Sequence, residues 1–371
     1  MRRRQIAGLG ALVALLAFSV PATVAAHNAA AAGTVYTITN SAGGNTVLAY
    51  SRASNGSLSL AGTYATGGTG AQLTSQGSVT LSADGRWLAA VDAGSNDVAL
   101  FAVAPNGGLY LTSRAAAGGT DPISVTIHGP FVYVLDAGDP GNIAGFLNLG
   151  GRLVALPRSI QPLSGSGTSP EEIAFSPSGG ALVVTEKGAG ELVTYRVGFL
   201  GIAGPPSAYP SSGAAPYGFD FDSQGRLFVT EAAASALSSY TLSSTGVPSV
   251  ISPPVLATQP AACWIALTPD GRYAFTIDAH NAAMPPTSAA ISTYAIAANG
   301  GLTLVSGTAA TKSTPPLLDA TVSGDGHFLY VVDVGAGAID AFRIGAGASL
   351  SPVGSTGLPA GAGGVSGLAA S

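Results

Sequence analysis

Apolar runs of strand length follow one another along most of the chain, and turns rich in Gly, Asp, Asn and Ser separate them. Segments 78–92, 264–278 and 319–333 (SVTLSADGRWLAAVD, WIALTPDGRYAFTID and DATVSGDGHFLYVVD) each place an Asp-Gly pair between two such runs. Asp-Gly supplies the positive φ angles that a tight hairpin needs. The pattern therefore predicts a series of antiparallel hairpins.

The hairpin recurs with a period of about 46 residues. Aligned starts fall at Val79, Val125, Ile173, Phe219, Ile265, Ala320 and Val365. Each period has room for four strands, of which the second ends in a polar residue and the fourth usually follows a Gly-rich turn. Repeats of this length with several strands apiece are typical of β-propellers. We therefore predict an all-β protein, a seven-bladed β-propeller with four-stranded blades.

The two ends of the chain predict how the ring closes. Residues 35–39 read as the second strand of a blade whose inner strand is missing before it. Residues 364–371 (GVSGLAAS) read as an inner strand after which the chain stops. We expect this C-terminal strand to complete the N-terminal blade, because closure removes an exposed sheet edge. The predicted organisation is a signal peptide at 1–26, a short linker at 27–34 and one propeller domain at 35–371.

The N-terminal segment has the layout of an export signal. Arginines at 2–4 precede an apolar run from Ile6 to Val20, and small residues follow up to Ala26. This order is typical of a cleaved signal peptide, and the run is too short for a confident membrane span. No later segment reads as a membrane span. We expect an exported monomer that is extracellular, periplasmic or associated with the cell envelope.

Charge and cysteine content narrow the class of protein. The chain has 14 basic and 19 acidic residues, and removal of the three leader arginines leaves 11 basic ones. A nucleic-acid-binding protein normally has a basic surface, so we expect no nucleic-acid partner. Cys263 is the single cysteine, so no intrachain disulfide can form, and we expect a buried, inert thiol. The expected partner is a small molecule or another extracellular ligand.

Segments 81–103, 131–138 and 322–344 carry a family resemblance. They resemble the lactonase-type seven-bladed propellers, a family of 6-phosphogluconolactonase-like and carboxymuconate-cyclase-like proteins. The resemblance runs from about residue 34 to the end, and it implies a site over the central channel that opens or closes a lactone. Segment 216–232 also resembles blades of streptogramin-lyase-type propellers, so the repeats specify the fold better than the reaction.

The family resemblance implies His, Arg and Glu side chains converging at the site, and this chain departs from that pattern. His280 is the histidine expected on the functional face. Five other His and Arg side chains lie in turns between first and second strands and are therefore expected on the opposite face: Arg86, His128, Arg226, Arg272 and His327. Plausible cations on the functional face are Arg114, Lys187 and Lys312. A phosphosugar needs several convergent cations, so hydrolysis of a phosphogluconolactone is disfavoured.

The residue before each aligned start differs from blade to blade, although a structural position in a repeat tends to be uniform. The set is Ser78, Ser124, Glu172, Gly218, Trp264, Asp319 and Gly364. Glu172 and Asp319 are the candidate catalytic pair, one of them kept protonated by burial or by its neighbour. Candidate ligand-binding residues are Asp121, Glu171, Tyr217, Trp264 and His280. The alternative is a water-filled channel mouth with ordinary capping groups.

The second strands end in a row of polar side chains: Asn40, Asp92, Asp136, Glu186, Glu231, Asp278 and Asp333. One interpretation is an acidic rim for a cation. The favoured one is that each side chain accepts backbone N–H bonds in its own turn. A divalent cation such as calcium stays open as a cofactor. The calcium-loop-like run from Asp220 to Glu231 lacks the flanking helices of such a loop and is interpreted as coincidence.

Two function hypotheses remain. The first is a lactone hydrolase or cycloisomerase, and the second is a non-catalytic extracellular binding or scaffold propeller. A divalent ion held by Glu172, Asp319 and Asp121 would favour the enzyme. A channel mouth plugged by Trp264 or by the 279–290 loop would favour the scaffold.

Overall fold

The computed structural model describes residues 31–279, 289–313, 315–360, 362 and 364–371. These residues form seven antiparallel sheets, and six of the sheets have four strands. The innermost strands of consecutive sheets contact one another around a complete circuit. The predicted all-β, seven-bladed propeller is confirmed. Residues 1–26, the predicted signal peptide, lie outside the described residues.

We number the blades I to VII along the chain and letter their strands a to d from the channel outward. Strands a are Ser366–Ala370, Val79–Leu81, Pro122–His128, Pro170–Phe175, Pro216–Phe221, Ala262–Leu267 and Leu317–Val322. Strands b are Gly33–Ile38, Trp87–Asp92, Phe131–Asp136, Ala181–Glu186, Arg226–Glu231, Tyr273–Asp278 and Phe328–Asp333. Strands c are Thr46–Arg52, Asp97–Val103, Asn142–Leu149, Glu191–Val197, Ala236–Leu242, Ala289–Ile296 and Ala338–Ile344. Strands d are Leu58–Ala65, Leu109–Ala116, Arg152–Ala155 with Gln161–Pro162, Ala203–Pro210, Pro248–Leu256, Leu302–Lys312 and Leu350–Gly357.

The C-terminal strand closes the ring as predicted. Ser366–Ala370 pairs antiparallel with Gly33–Ile38, which places Ala370 opposite Val35. The Asn40 amide donates a 2.7 Å hydrogen bond to the Ser366 hydroxyl. Blade I therefore contains both ends of the described chain, and its inner edge is paired rather than exposed.

Strands b are buried on both faces because they lie between the channel wall and the outer strands and are covered by the neighbouring blades. The strand b of blade VI, Tyr273–Asp278, is buried after its first residue, whereas the strand d of blade I, Leu58–Ala65, is mostly exposed. Burial on both faces explains why strands b read as continuous apolar runs. Some of the edge strands d contain prolines, as Ala203–Pro210 and Pro248–Leu256 do, and proline at an edge discourages pairing with other chains.

Buried tyrosines join each of several blades to the next. The hydroxyl of Tyr133 in blade III donates a 2.8 Å hydrogen bond to the carbonyl of Gly201, in the c–d turn of blade IV. The same bond runs from Tyr36 to Gly107 and from Tyr330 to Gly56. These turns approach so closely that a Cβ at Gly201 would lie 2.1 Å from the neighbouring blade. Glycine is required here by both the close approach and the positive φ.

Blade III differs from the repeat in its outer strand. Its strand d is split into Arg152–Ala155 and Gln161–Pro162, and both pieces pair with strand c. Pro157 lies in the interruption and has no N–H to donate to a ladder.

The alternating strand direction gives the disc two faces. We call the side with the a–b and c–d turns the open face, and the side with the b–c turns and the d-to-a connections the acid face. Glu231 and Ala236 pair at the acid face, whereas Arg226 and Thr241 pair near the open face. As predicted, the histidine and arginine turns between strands a and b lie on the side opposite the ends of strands b.

Candidate functional site in the central channel

The inner strands surround a cavity of about 350 Å³. It reaches from Gln76 and Glu172 at the beginning of the inner strands to Leu81 and Val322 at their ends. Its lining contains the carboxyl groups of Glu172, Asp220 and Asp319, and none of the lining residues is Arg, Lys or His. The structure therefore brings the two predicted catalytic carboxyls into one cavity and adds a third.

Each of the three carboxylates belongs to one blade and accepts a backbone hydrogen bond from the next. Strand a has no further strand on its channel side, so its inward N–H groups need other acceptors. The preceding blade supplies them, through bonds from Phe219 N–H to Glu172 (2.7 Å), from Leu267 N–H to Asp220 (3.3 Å) and from Leu368 N–H to Asp319 (3.1 Å). The carboxyl groups thus stabilise the ring as well as line the cavity.

Uncharged side chains make the same bond between other blades. The Ser124 hydroxyl accepts the Ile173 N–H at 3.2 Å, and the Thr126 hydroxyl accepts the Phe175 N–H at 3.2 Å. A hydroxyl is therefore sufficient to join neighbouring strands a. The acidity of Glu172, Asp220 and Asp319 is not required by this structural role.

Burial changes the protonation of the channel carboxyls. Loss of hydration raises the pKa of Asp319 to about 7 and the pKa of Asp220 to about 6, although backbone N–H bonds oppose both changes. The pKa of Glu172 is raised well above its usual value, first by burial and then by repulsion from Asp319 and Asp220. The cavity therefore contains a Glu172 whose pKa is raised well above its usual value and an Asp319 whose pKa is about 7.

The chain itself closes one end of the cavity. Residues 73–77, just before the inner strand of blade II, reach across to blades V and VI. The hydroxyl of Tyr217 donates a 2.7 Å hydrogen bond to the Thr74 carbonyl, and the Gln76 amide donates a 3.1 Å bond to the Ile265 carbonyl. Gly218 permits this approach, since a Cβ there would lie 2.3 Å from the Gln76 side chain.

Trp264 belongs to this closed end, as one of the two plug predictions supposed. Its ring meets that of Tyr217 edge-on at 5.3 Å, and its Nε1–H donates to the Ser75 carbonyl at 3.5 Å. The second supposed plug, the 279–290 loop, and the predicted ligand residue His280 fall largely or wholly outside the described residues.

The varied positions before the inner strands were expected to ring an open mouth, and here the structure differs. Ser78 and Ser124 are fully buried, because residues 73–77 cover this end. By contrast, Leu81, Val322 and Ala370 at the far ends of the inner strands are only half-buried. The cavity therefore opens toward the open face, opposite to the side on which the sequence placed the site.

Glu171 lies in a second polar cluster near the closed end. Its carboxylate forms an ion pair with Lys187, whose Nζ lies 5.0 Å from the centre of the Tyr217 ring. Burial raises the pKa of Cys263 to about 12, with a further rise from Glu171, and the nearby Lys187 does not offset it. The thiol is therefore protonated at neutral pH, in agreement with the expected inert cysteine.

Asp121 lies elsewhere. It is exposed in the turn before the inner strand of blade III, where its N–H donates to Asn96 at 2.7 Å. Its carboxylate acts electrostatically on Asp136. Among the described residues, no three His, Cys, Asp or Glu side chains are arranged to hold a metal ion. The hypothesis of an ion shared by Glu172, Asp319 and Asp121 therefore finds no matching geometry.

The three cations expected on the functional face are each bound to a carboxylate. Arg114 lies 3.7 Å from Asp97, and Lys312 lies 2.7 Å from Asp340. Lys187 is paired with Glu171. These cations therefore do not converge on one site.

The carboxylates that end strands b are buried acceptors, whereas the Asn40 amide is a donor, and most of the partners differ from the prediction. Asp92 accepts a 2.6 Å bond from the Thr66 hydroxyl, and Asp278 accepts a 2.6 Å bond from the Ser292 hydroxyl. Asp333 shows the predicted arrangement, with a 2.8 Å bond from the Ala336 N–H of its own turn. Neighbouring strands and turns supply the other donors, which spacing along one blade could not reveal.

The fold and the channel define the chain as a seven-bladed β-propeller with an acid-lined central cavity. Residues 27–146 match the family described as "Lactonase, 7-bladed beta-propeller". The match covers about the first third of the chain, and the seven sheets of the described residues have the seven-bladed architecture that the family description names. No curated protein sequence matches it.

Solved structures share the fold at low sequence identity. A candidate 6-phosphogluconolactonase of Bacteroides fragilis NCTC 9343 is 18% identical with a TM-score of 0.70, over 91% of this chain and 98% of that one. The periplasmic gluconolactonase of Pseudomonas aeruginosa is 17% identical with a TM-score of 0.71, over 91% and 98%. Virginiamycin B lyase of Staphylococcus aureus is 15% identical with a TM-score of 0.53, over 76% and 86%. None of the helices in the described part of the chain is long and apolar enough to cross a membrane.

Proposed function

We propose that this chain is an exported enzyme that hydrolyses or isomerises an uncharged lactone in the central cavity. The observation that carries the proposal is a cavity of about 350 Å³ with three carboxyl groups and no cation in its lining. A phosphorylated substrate would meet carboxylates where it needs cations. An uncharged hydroxylated lactone can instead hydrogen-bond to the same groups.

The two raised pKa values support the following roles for Asp319 and Glu172. Asp319, with a pKa of about 7, is the general base that takes a proton from water as the water oxygen attacks the lactone carbonyl carbon. Glu172, whose raised pKa favours its protonated form, donates its proton to the ring oxygen as the carbon–oxygen ring bond breaks. The product is the open hydroxy acid, and proton exchange with solvent restores both carboxyl groups.

Two further observations support the proposal. The N-terminal arginines and apolar run are typical of a signal peptide. The Pseudomonas aeruginosa structure that shares the fold is a periplasmic gluconolactonase, which makes an unphosphorylated sugar lactone in an exported protein the first substrate to try.

The test compares the protein with Glu172→Gln and Asp319→Asn on a panel of unphosphorylated and phosphorylated lactones, with and without calcium. Both variants keep an oxygen that can accept the bond from the next blade. We expect turnover of an unphosphorylated lactone, with a loss of about 10²-fold or more in each variant. After subtraction of spontaneous hydrolysis, kcat should rise with pH through about 7 as Asp319 loses its proton.

Thr126→Ala is the matched control, because it removes the same kind of bond between strands a without touching a carboxyl group. It should retain activity within a few-fold at unchanged fold. Full activity in both carboxamide variants, or turnover of phosphorylated lactones alone, would contradict the proposal.

A second candidate is a non-catalytic binding propeller. The observation that favours it is the closed end, where residues 73–77 fill the channel, together with the backbone bonds already made by all three carboxylates. Calorimetric titration separates the two: lactone binding without turnover in the unaltered protein would support the binding protein.

A further inference from the structure

Positive charge is concentrated on the open face, although the chain as a whole is acidic. The turns and strand ends on this face carry seven arginines: Arg52, Arg86, Arg152, Arg196, Arg226, Arg272 and Arg343. The acids of these turns and strand ends are Asp84, Asp222, Asp270 and Asp325. Most other carboxylates lie at the b–c turns, on the acid face. The disc is therefore electrostatically two-sided.

Three of the four open-face acids form ion pairs with arginines, and Asp84 instead accepts hydrogen bonds from the Ser82 hydroxyl and the Arg86 backbone N–H. Asp325 lies 2.9 Å from Arg52, and Asp270 lies 2.7 Å from Arg272. The same holds for Asp222 with Arg226 at 2.5 Å. The surplus positive charge therefore comes from arginines outside these pairs.

Two of those arginines belong to the neighbouring blades III and IV. Arg152 follows the c–d turn of blade III, and Arg196 lies at the end of strand c of blade IV. Both are exposed, and within the described part of the chain neither forms an ion pair. The a–b and c–d turns of these two blades contain no Asp or Glu.

The c–d turn of blade IV is also the exception among seven equivalent turns. Apart from Val247 in blade V and Leu149 beside the turn of blade III, the others are built from small or polar residues, such as Asn55, Asn106 and Asn299. Blade IV has Phe199 and Leu200 instead, and Phe199 is 93% exposed. Tight turns favour Asn, Asp and Gly, so this pair is not explained by turn chemistry. Leu149, at the c–d turn of blade III, is 58% exposed on the same face.

From this juxtaposition we propose that the open face of blades III and IV binds the surface of an anionic lipid bilayer. Phe199 and Leu200 enter the boundary between headgroups and acyl chains, and Arg152 and Arg196 contact lipid phosphates. An apolar tip flanked by cations is the composition that binds such interfaces. The acidic face then points away from the negatively charged membrane.

A lipid surface fits this site better than a protein partner. A specific protein interface buries about 800 Å² on each side, and a two-residue tip beside polar turns offers far less apolar area. Interfacial insertion needs only the tip and the flanking charges. Since the central cavity opens on the same face, binding would also turn the cavity toward the membrane.

The test is co-sedimentation of the chain from residue 27, which contains the whole described propeller, with phospholipid vesicles. One set is equal parts phosphatidylglycerol and phosphatidylcholine, and the other is phosphatidylcholine alone. We expect binding to the anionic set, reduced about tenfold by the double variant Phe199→Ser, Leu200→Ser. Raising NaCl from about 0.1 M to about 1 M should weaken the binding as charges are screened.

Two further variants isolate the cause. Leu256→Ser removes an apolar side chain that is 63% exposed at the acid-face end of a strand d, and it should leave vesicle binding unchanged. Arg152→Glu with Arg196→Glu should abolish the preference for anionic vesicles. The proposal is overturned if the unaltered protein ignores anionic vesicles at low salt, or if Phe199→Ser, Leu200→Ser binds as well as Leu256→Ser. Neither result depends on lactone turnover.

Discussion

The two ends of strand b carry aspartates in opposite environments. At the acid face, burial raises the pKa of Asp92 to about 6, of Asp136 to about 7 and of Asp278 to about 8. In the turn that leads into strand b on the open face, the pKa values of Asp84, Asp270 and Asp325 are lowered. Six residues of one type, at two repeated positions, thus shift in two directions.

The partners explain the difference. Asp278 is fully buried, and its hydrogen bonds from Ser292 and Thr276 do not compensate for lost hydration. Asp84 is exposed, and bonds from the Ser82 hydroxyl and a backbone N–H stabilise its charge. The pKa of a repeated acid in this propeller therefore depends on its burial and its hydrogen bonds. The position of the acid in the repeat does not by itself determine its charge.

The aspartates of the acid face have raised pKa values only because the closed ring buries them. Loss of ring closure should therefore have the largest effect on stability. Deletion of residues 364–371 removes the inner strand of blade I and the bonds to Asn40 and Asp319. We expect a loss of the cooperative melting transition, or a fall in Tm of more than about 10 °C. Ser371→Ala removes one terminal hydrogen bond and is the matched control. Equal melting of the deletion and the control would refute the role of closure.

The buried aspartates at the ends of strands b should make the protein more stable in mild acid than in mild base. Because the folded pKa of Asp278 exceeds its unfolded value, the stability from this group is complete below about pH 4 and is lost as pH rises to about 8. We expect Tm to fall by several degrees between pH 5 and pH 8. Asp278→Asn should flatten this dependence and leave the protein more stable than the unaltered chain at pH 8.

The exposed aspartates of the open face should have the smallest effect on stability, and their contribution should depend on pH in the opposite direction. The lowered pKa of Asp270 contributes stability above its usual value, and this is lost as pH falls through the folded pKa. Because Asp270 and Arg272 are exposed, Asp270→Asn should cost about 0.5 kcal/mol or less at neutral pH. Thermal melts of both asparagine variants across pH test the pair. A larger change in stability, of either sign, from Asp270→Asn than from Asp278→Asn at pH 8 would contradict the comparison.

The fold was predictable because the sequence signals for turns and strands recur from blade to blade. The Asp-Gly turns, the continuous apolar strands b and the unpaired segment 364–371 are local signals, and the closure at Gly33–Ile38 followed from counting them. The split strand d of blade III was not foreseen, since prolines also occur in the unbroken strands d of blades IV and V and Pro157 alone gives no local signal.

The site was predictable only in part. Glu172 and Asp319 stood out because they vary at a repeated position, and both line the cavity. Asp220 was interpreted as part of a chance calcium-loop pattern, although it lines the same cavity. Gln76 gave no signal, because its partners Phe219 and Ile265 are more than 140 residues away.

The sequence by itself determined the architecture: seven blades, four strands in a blade, and closure by the C-terminal strand. These features depend on turn chemistry and on burial within a repeat, which are local properties. The tertiary structure alone decided which end of the channel is closed, which acids have raised pKa values, and that Phe199 is exposed on the same face as Arg152 and Arg196. Those properties depend on hydration and on contacts between blades, which arise only when distant segments meet around the ring.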